Sequence, residues 1–134
     1  KKIYPSTINI NIIPTKFVAR LSNNDQLVGA NGKLIKDNIN DKILPYIFGE
    51  YNSQEFLNFK NNIEKSEFIF TEFKTLFFFP SKRWDILTNN DVLIKLPKDN
   101  LSESINLAYK IMNNINFKDK NLIDLRMRNH LIIK

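Results

Sequence analysis

The sequence predicts an α+β fold: a mainly antiparallel β-sheet with two principal helices. Three observations carry that expectation. Stretches of alternating apolar and polar residues come in pairs, joined by short turns of Asn, Asp and Gly, as β-hairpins are. Two longer stretches place apolar residues at helical spacing behind a capping residue. The order is strands, helix, strands, helix, strands, and most neighbouring strands have no helix between them, as parallel crossovers would require.

The elements follow in chain order. From Thr7 to Ile13, Ile8, Ile10 and Ile12 share one face and Asn9 and Asn11 the other, the pattern of a half-buried strand. Pro14-Thr15 bends the chain, and Phe17, Ala19 and Leu21 alternate with Val18 and Arg20 in a second strand. Gln26 to Val28 and Lys33 to Lys36 flank Gly29-Ala30-Asn31-Gly32, where Asn-Gly supplies the positive φ of a tight hairpin. Residues 37 to 52 read as a loop containing the patch Leu44 to Gly49. Asn52 with Glu55 resembles a capping box, and Phe56, Phe59 and Ile63 follow at helical spacing, which predicts a helix over 53–64. Residues 66 to 72 fit either class. Phe73 to Phe79, ending at Pro80, reads as a strand buried on both faces, with a helix as the alternative. Trp84 to Thr88, the turn Asn89-Asn90-Asp91 and Val92 to Leu96 form a hairpin closed by Pro97. Asn100 is expected to cap a second helix with Glu103 at its third position, and Leu101, Ile105, Ala108, Met112 and Ile115 make its apolar stripe. Leu122 to Arg128 and Leu131 to Lys134 are two final strands around a turn at Asn129-His130. The sequence shows neither an internal repeat nor a flexible linker.

Composition narrows the function classes. At 43% hydrophobic and 25% charged residues the chain lies in the globular range, so disorder along its length is excluded. There is no cysteine, which removes thiol catalysis, Cys-ligated zinc, iron–sulfur clusters and disulfides together. The net charge of +6 and pI near 9.5 favour acidic partners, although the lysines are scattered and also fit a merely solvated surface. The densest basic clusters are Lys82-Arg83 and Arg126 with Arg128. No run approaches the roughly 18 apolar residues of a membrane span, and Lys1 to Pro5 is no signal peptide. Both ends fall inside strand-like alternation, so the chain reads as a piece of a longer protein.

Catalytic patterns are scarce. His130, the one histidine, lies in a hairpin turn without the second His or Cys of a metal site. There is no nucleophile elbow, dinucleotide fingerprint or phosphate loop. Asp37 and Asp41 lack the alternating oxygen ligands of a calcium loop, and Asp124 beside Arg126 reads as a structural ion pair. Phe77-Phe78-Phe79 followed by Lys82-Arg83-Trp84 has the ingredients of a single-strand nucleic-acid face, but three consecutive Phe must point to both faces of a strand. A basic nucleic-acid-binding module and a small hydrolase-like enzyme stand as the two alternatives to a protein-docking role, and no cofactor or metal is expected.

Three ordered blocks carry a family resemblance. The first is Ile3 to Ile10 with Ile13-Pro14-Thr15-Lys16-Phe17-Val18-Ala19-Arg20 and Leu27 to Gly32. The second is Lys82-Arg83-Trp84-Asp85-Ile86-Leu87-Thr88-Asn89-Asn90-Asp91 with Lys95-Leu96-Pro97, and the third is Ile123-Asp124-Leu125-Arg126. In this order, with one amphipathic helix between the last two, they resemble the FtsQ/DivIB cell-division family, alphaproteobacterial FtsQ most of all. Tyr4, Gly29 and Met127 stand where the family has Trp, the hairpin Asp and often an aromatic residue.

The resemblance implies a single-pass inner-membrane protein with a POTRA domain and a β domain in the periplasm, the anchoring helix being absent here. Residues 1–14 would be the final strand of a truncated POTRA domain and 15–134 the β domain. The family is non-enzymatic, scaffolds the divisome in cell division and septation, and binds the FtsB–FtsL pair through a C-terminal sheet edge. It involves no nucleic acid, and it leaves open a weak homodimer. An edge strand has unpaired main-chain groups that an extended segment can satisfy by β-augmentation. Ile123, Leu125 and Met127 are expected inward, with Asp124, Arg126 and Arg128 outward as a basic row that steers an acidic partner. The candidate contacts are therefore Asp124, Leu125, Arg126, Met127, Arg128, Leu131 and Ile133, with Lys82, Arg83 and Trp84 secondary. The bland reading of the arginines is that they keep an edge soluble; that of residues 73–79 and 131–133, and of Arg83-Trp84, is packing.

Overall fold

The structure is a computed structural model, and it describes residues 17–21, 26–29, 34–36, 44–127 and 130–134. Among these residues nine strands, β1 (Phe17–Leu21), β2 (Gln26–Gly29), β3 (Leu34–Lys36), β4 (Tyr46–Phe48), β5 (Phe73–Phe78), β6 (Trp84–Thr88), β7 (Leu93–Lys95), β8 (Leu122–Met127) and β9 (His130–Ile133), form one sheet in the order β3-β2-β1-β4-β5-β6-β7-β8-β9. Helices α1 (Ser53–Glu64) and α2 (Leu101–Met112) complete the α+β fold. The predicted strand over 7–13 and the Gly29–Gly32 turn beyond Gly29 lie outside the described residues.

The sheet is mainly antiparallel, with three parallel pairs: β1–β4, β4–β5 and β7–β8. The last two are joined by α1 and α2, the crossovers that parallel pairing needs. Each predicted helix exists because its apolar stripe meets the sheet. The Asn52 side chain accepts the N–H of Glu55 at 2.8 Å and opens α1, whose Phe56, Phe59 and Ile63 are buried. Phe59 stacks on Trp84 with ring centroids 4.6 Å apart, and Phe68 meets Tyr109 edge-on at 4.9 Å. These rings, with Ile47, Leu76, Ile86, Ile94, Ile105, Ala108 and Ile123, make one core between the helices and one sheet face.

Several expectations need correction. The patch read as a loop contains β4, a strand near the middle of the sheet. Arg20 fastens it: its Nη2 donates to the Leu44 carbonyl at 3.2 Å, its N–H to that of Pro45 at 2.8 Å, and its guanidinium lies 4.1 Å over the Tyr46 ring. Pro45 stands just before the strand, where its missing N–H is tolerated. Gly49 (φ +108°) ends it, and a Cβ there would lie 2.1 Å from the Phe78 carbonyl oxygen. β5 is not buried on both faces, since Lys74 is exposed and Phe77 and Phe78 are half-buried. Asn100 gives α2 no side-chain cap; it adopts φ 57° and starts the helix through its carbonyl, which accepts the Ser104 N–H. The stripe of α2 stops at Met112, leaving Ile115 88% exposed in a 3-10 turn whose buried residue is Phe117.

Candidate docking edge

The last two strands set the geometry. β8 runs parallel to β7, and β9 folds back antiparallel to occupy the end of the sheet, so β8 lies one strand in from the rim. Leu122 and Lys134 exchange both main-chain bonds, at 3.0 and 3.1 Å. By the alternation of an antiparallel pair, the N–H and C=O groups of Leu131 and Ile133 therefore point away from β8. Among the described residues no strand pairs with that side of β9. Leu131 and Ile133 are 46% and 38% exposed.

The candidate contacts divide by position. Leu125 and Asp124 are both buried, while Met127, expected inward, is 64% exposed. Arg128 lies outside the described residues. Arg126 forks onto Asp124, Nε to Oδ1 at 2.9 Å and Nη2 to Oδ2 at 2.7 Å. That bond holds the Asp124 carboxyl well below the usual carboxylate range, at about 2, and raises the Arg126 guanidinium still further. Arg126 is thus an internal clamp first, with Nη1 outside the fork.

Of the secondary candidates, Trp84 is a core residue, 3% exposed. Lys82 is exposed at positive φ. Arg83 bonds Asp85 at 2.9 Å and the Leu96 carbonyl at 2.8 Å, and lies over the Phe79 ring. Asp85, Lys95 and Asp124 are in register across β6, β7 and β8. With Arg83 and Arg126 at its ends, this makes a charged row across the sheet face opposite the helices. Burial pushes the Asp85 carboxyl up, against the pull of Arg83. The sequence reading missed this row because cross-strand register joins residues about ten to forty positions apart.

Beside the edge, Arg83, Asn100, Leu107, Leu125, Met127 and Leu131 help to line a hollow of about 750 Å³ between the start of α2 and the ends of β8 and β9. A smaller apolar hollow of about 190 Å³ lies at Ile111, Phe117 and Ile133. Among the described residues no group of three or more His, Asp or Glu side chains could hold a metal ion, and no helix is long and apolar enough to cross a membrane.

Residues 17–126 match the family described as cell division protein FtsQ/DivIB, C-terminal. The chain belongs to the FtsQ/DivIB family. Among solved structures it is similar to the major extracytoplasmic domain of the trans isomer of the cell-division protein DivIB from Geobacillus stearothermophilus. The TM-score is 0.52 at 10% identity, over 69% of this chain and 87% of that one. That likeness speaks for the fold alone. No curated protein matches the chain in sequence. An FtsQ/DivIB domain has a role in cell division, and the family is not known as enzymatic.

Proposed function

We propose that this FtsQ/DivIB domain is a non-enzymatic scaffold of the divisome, on the periplasmic side of the inner membrane, and that it docks an extended acidic segment of the FtsB–FtsL pair along β9 by β-augmentation. The position of β9 at the end of the sheet carries this reading. Leu131 and Ile133 aim main-chain donors and acceptors outward, and an incoming strand would satisfy them. The net charge of +6 would favour an acidic segment over a basic one. On this reading residues 15–134 are the β domain of a longer, membrane-anchored protein.

Titration calorimetry of the chain with a soluble FtsB–FtsL ectodomain pair tests the proposal, together with hydrogen exchange of the Leu131 and Ile133 amides. Binding should slow exchange at both. Ile133→Pro removes an outward N–H without breaking a bond to β8, so it should weaken binding at least tenfold while the fold survives. Binding unaltered by Ile133→Pro, or protection appearing elsewhere, would refute docking at β9. Arg126→Glu should also weaken binding, by about 1–3 kcal/mol if a partner carboxylate reaches the guanidinium. The same change sets two carboxylates side by side, so its folding must be measured alongside.

A further inference from the structure

The end of β8 is shaped by a bulge. From Asp124 to Met127 the strand takes three steps while β9 takes two, from Ile132 to His130. One extra residue sits on β8, and Leu125 and Arg126 together face Leu131. Side chains alternate with a period of two, so an inserted residue reverses the face of everything that follows. Met127 accordingly shares a face with its register partner His130 and stands exposed, where an unbroken strand would turn it toward the helices as it does Leu125.

One carboxylate sits at the slip. Asp124 Oδ1 accepts the backbone N–H of Arg126 at 3.0 Å as well as its Nε at 2.9 Å, and Oδ2 accepts Nη2 at 2.7 Å. A side chain that takes the amide two residues on offers the backbone an alternative to the regular ladder. Here it does so at the residue where the register changes. Asp124 itself is only 7% exposed, too enclosed to serve as a contact.

We infer that Asp124 is a positioning residue of the docking edge: its carboxylate holds the β8 bulge and so presents Met127 and a fixed Arg126 to the segment that pairs with β9. The inference rests on the docking role proposed above and moves Asp124 from partner contact to support.

Two substitutions and the chain's two methionines test it. Asp124→Val removes the acceptor, keeps a strand-forming residue, and leaves no buried cation, because the Arg126 side chain is 43% exposed. Asp124→Asn keeps an oxygen for the Arg126 amide and loses the charged fork. Peroxide oxidation followed by peptide mass spectrometry gives the rate at Met127 relative to half-buried Met112, an internal standard on α2. In Asp124→Val the strand straightens and turns Met127 inward, so the ratio should fall at least fivefold and affinity for the FtsB–FtsL ectodomains at least tenfold. In Asp124→Asn the ratio should stay within twofold of wild type and affinity should fall about threefold. A folded Asp124→Val with an unchanged ratio, or a collapsed ratio in Asp124→Asn, overturns the inference. Should Asp124→Val not fold, the ratio in Asp124→Asn decides. Failure of the wild-type chain to bind would refute the docking proposal, whereas the oxidation ratios still judge the bulge.

Discussion

Replacing Asp124 by Asn should lower stability by an amount that depends on pH. The carboxyl ionises at about 2 in the folded protein against an ordinary value of 3.8, chiefly because Arg126 donates to it. At 1.36 kcal/mol per pKa unit the ceiling is about 2.5 kcal/mol at pH 7. Arg126 is 43% exposed at its side chain, so solvent screens the pair, and about 1 kcal/mol is the expected loss. The folded value is the lower one, so the contribution is complete above about pH 4–5 and disappears as the pH falls toward 2. By the linkage relation about half of it remains at pH 3 and about a sixth at pH 2. Urea denaturation of both proteins at pH 7, 5 and 3, followed by fluorescence of the single, buried Trp84, measures the difference directly. Equal differences at pH 7 and 5 that shrink to about half at pH 3 are expected. A difference that stays constant down to pH 3 would show that Asp124 acts by shape and not charge, and would refute the reasoning.

Asp85 should behave with the opposite sign. Burial raises its pKa, so wild-type stability declines as the pH climbs past 3.8; Asp85→Asn should lose within about 1 kcal/mol at pH 7, and the gap should widen in favour of wild type on acidification in the same urea series. Phe59→Ala removes a fully buried ring stacked on Trp84 and should cost about 3–5 kcal/mol in denaturant unfolding at pH 7. Gly49→Ala places a methyl group against the Phe78 carbonyl at a positive φ and should lower stability by more than about 1 kcal/mol, read as a fall in the thermal midpoint. Ile115→Ser should change stability by less than about 0.5 kcal/mol, as an exposed position does and a core stripe would not.

What could be read from the sequence was local. The helix over 53–64 is found with its predicted bounds because both determinants lie within one segment: the Asn52 cap and the stripe Phe56, Phe59, Ile63. The hairpin of β6 and β7 is likewise fixed by its own turn and alternation. β4 was out of reach, since three residues carry no period and what makes them a strand is the slot between β1 and β5, with Arg20 holding the entry. Asn100 misled for a related reason. Its type suits an N-cap, but it also tolerates the left-handed region, and here it takes the latter. The stripe of α2 ran one turn too far because periodicity does not register where the helix ends.

At the edge, the family blocks pointed to the last two strands, which lie at one end of the sheet, but not to which of them forms the rim. Alternation placed Met127 inward, and the register shift in β8 reverses it; the available signal was an Asp inside a strand, where that residue is depleted. The reversal matters for the strength of the proposed docking. Leu131 and Ile133 turn outward two donors and two acceptors, and four net hydrogen bonds supply about 2–6 kcal/mol. A micromolar complex needs about 8 kcal/mol, after the entropy of association has been met. Main-chain pairing along so short a strand therefore cannot suffice, and the remainder must come from apolar side chains beside it. Leu107, Met127 and Leu131, around one hollow, and Ile133 on β9 itself are exposed apolar groups within reach. An edge four residues long, weak alone and made adequate only by a partner whose side chains fit those neighbours, also resists indiscriminate strand pairing. The bulge would thus raise affinity for the right segment while leaving too little exposed strand for the wrong one.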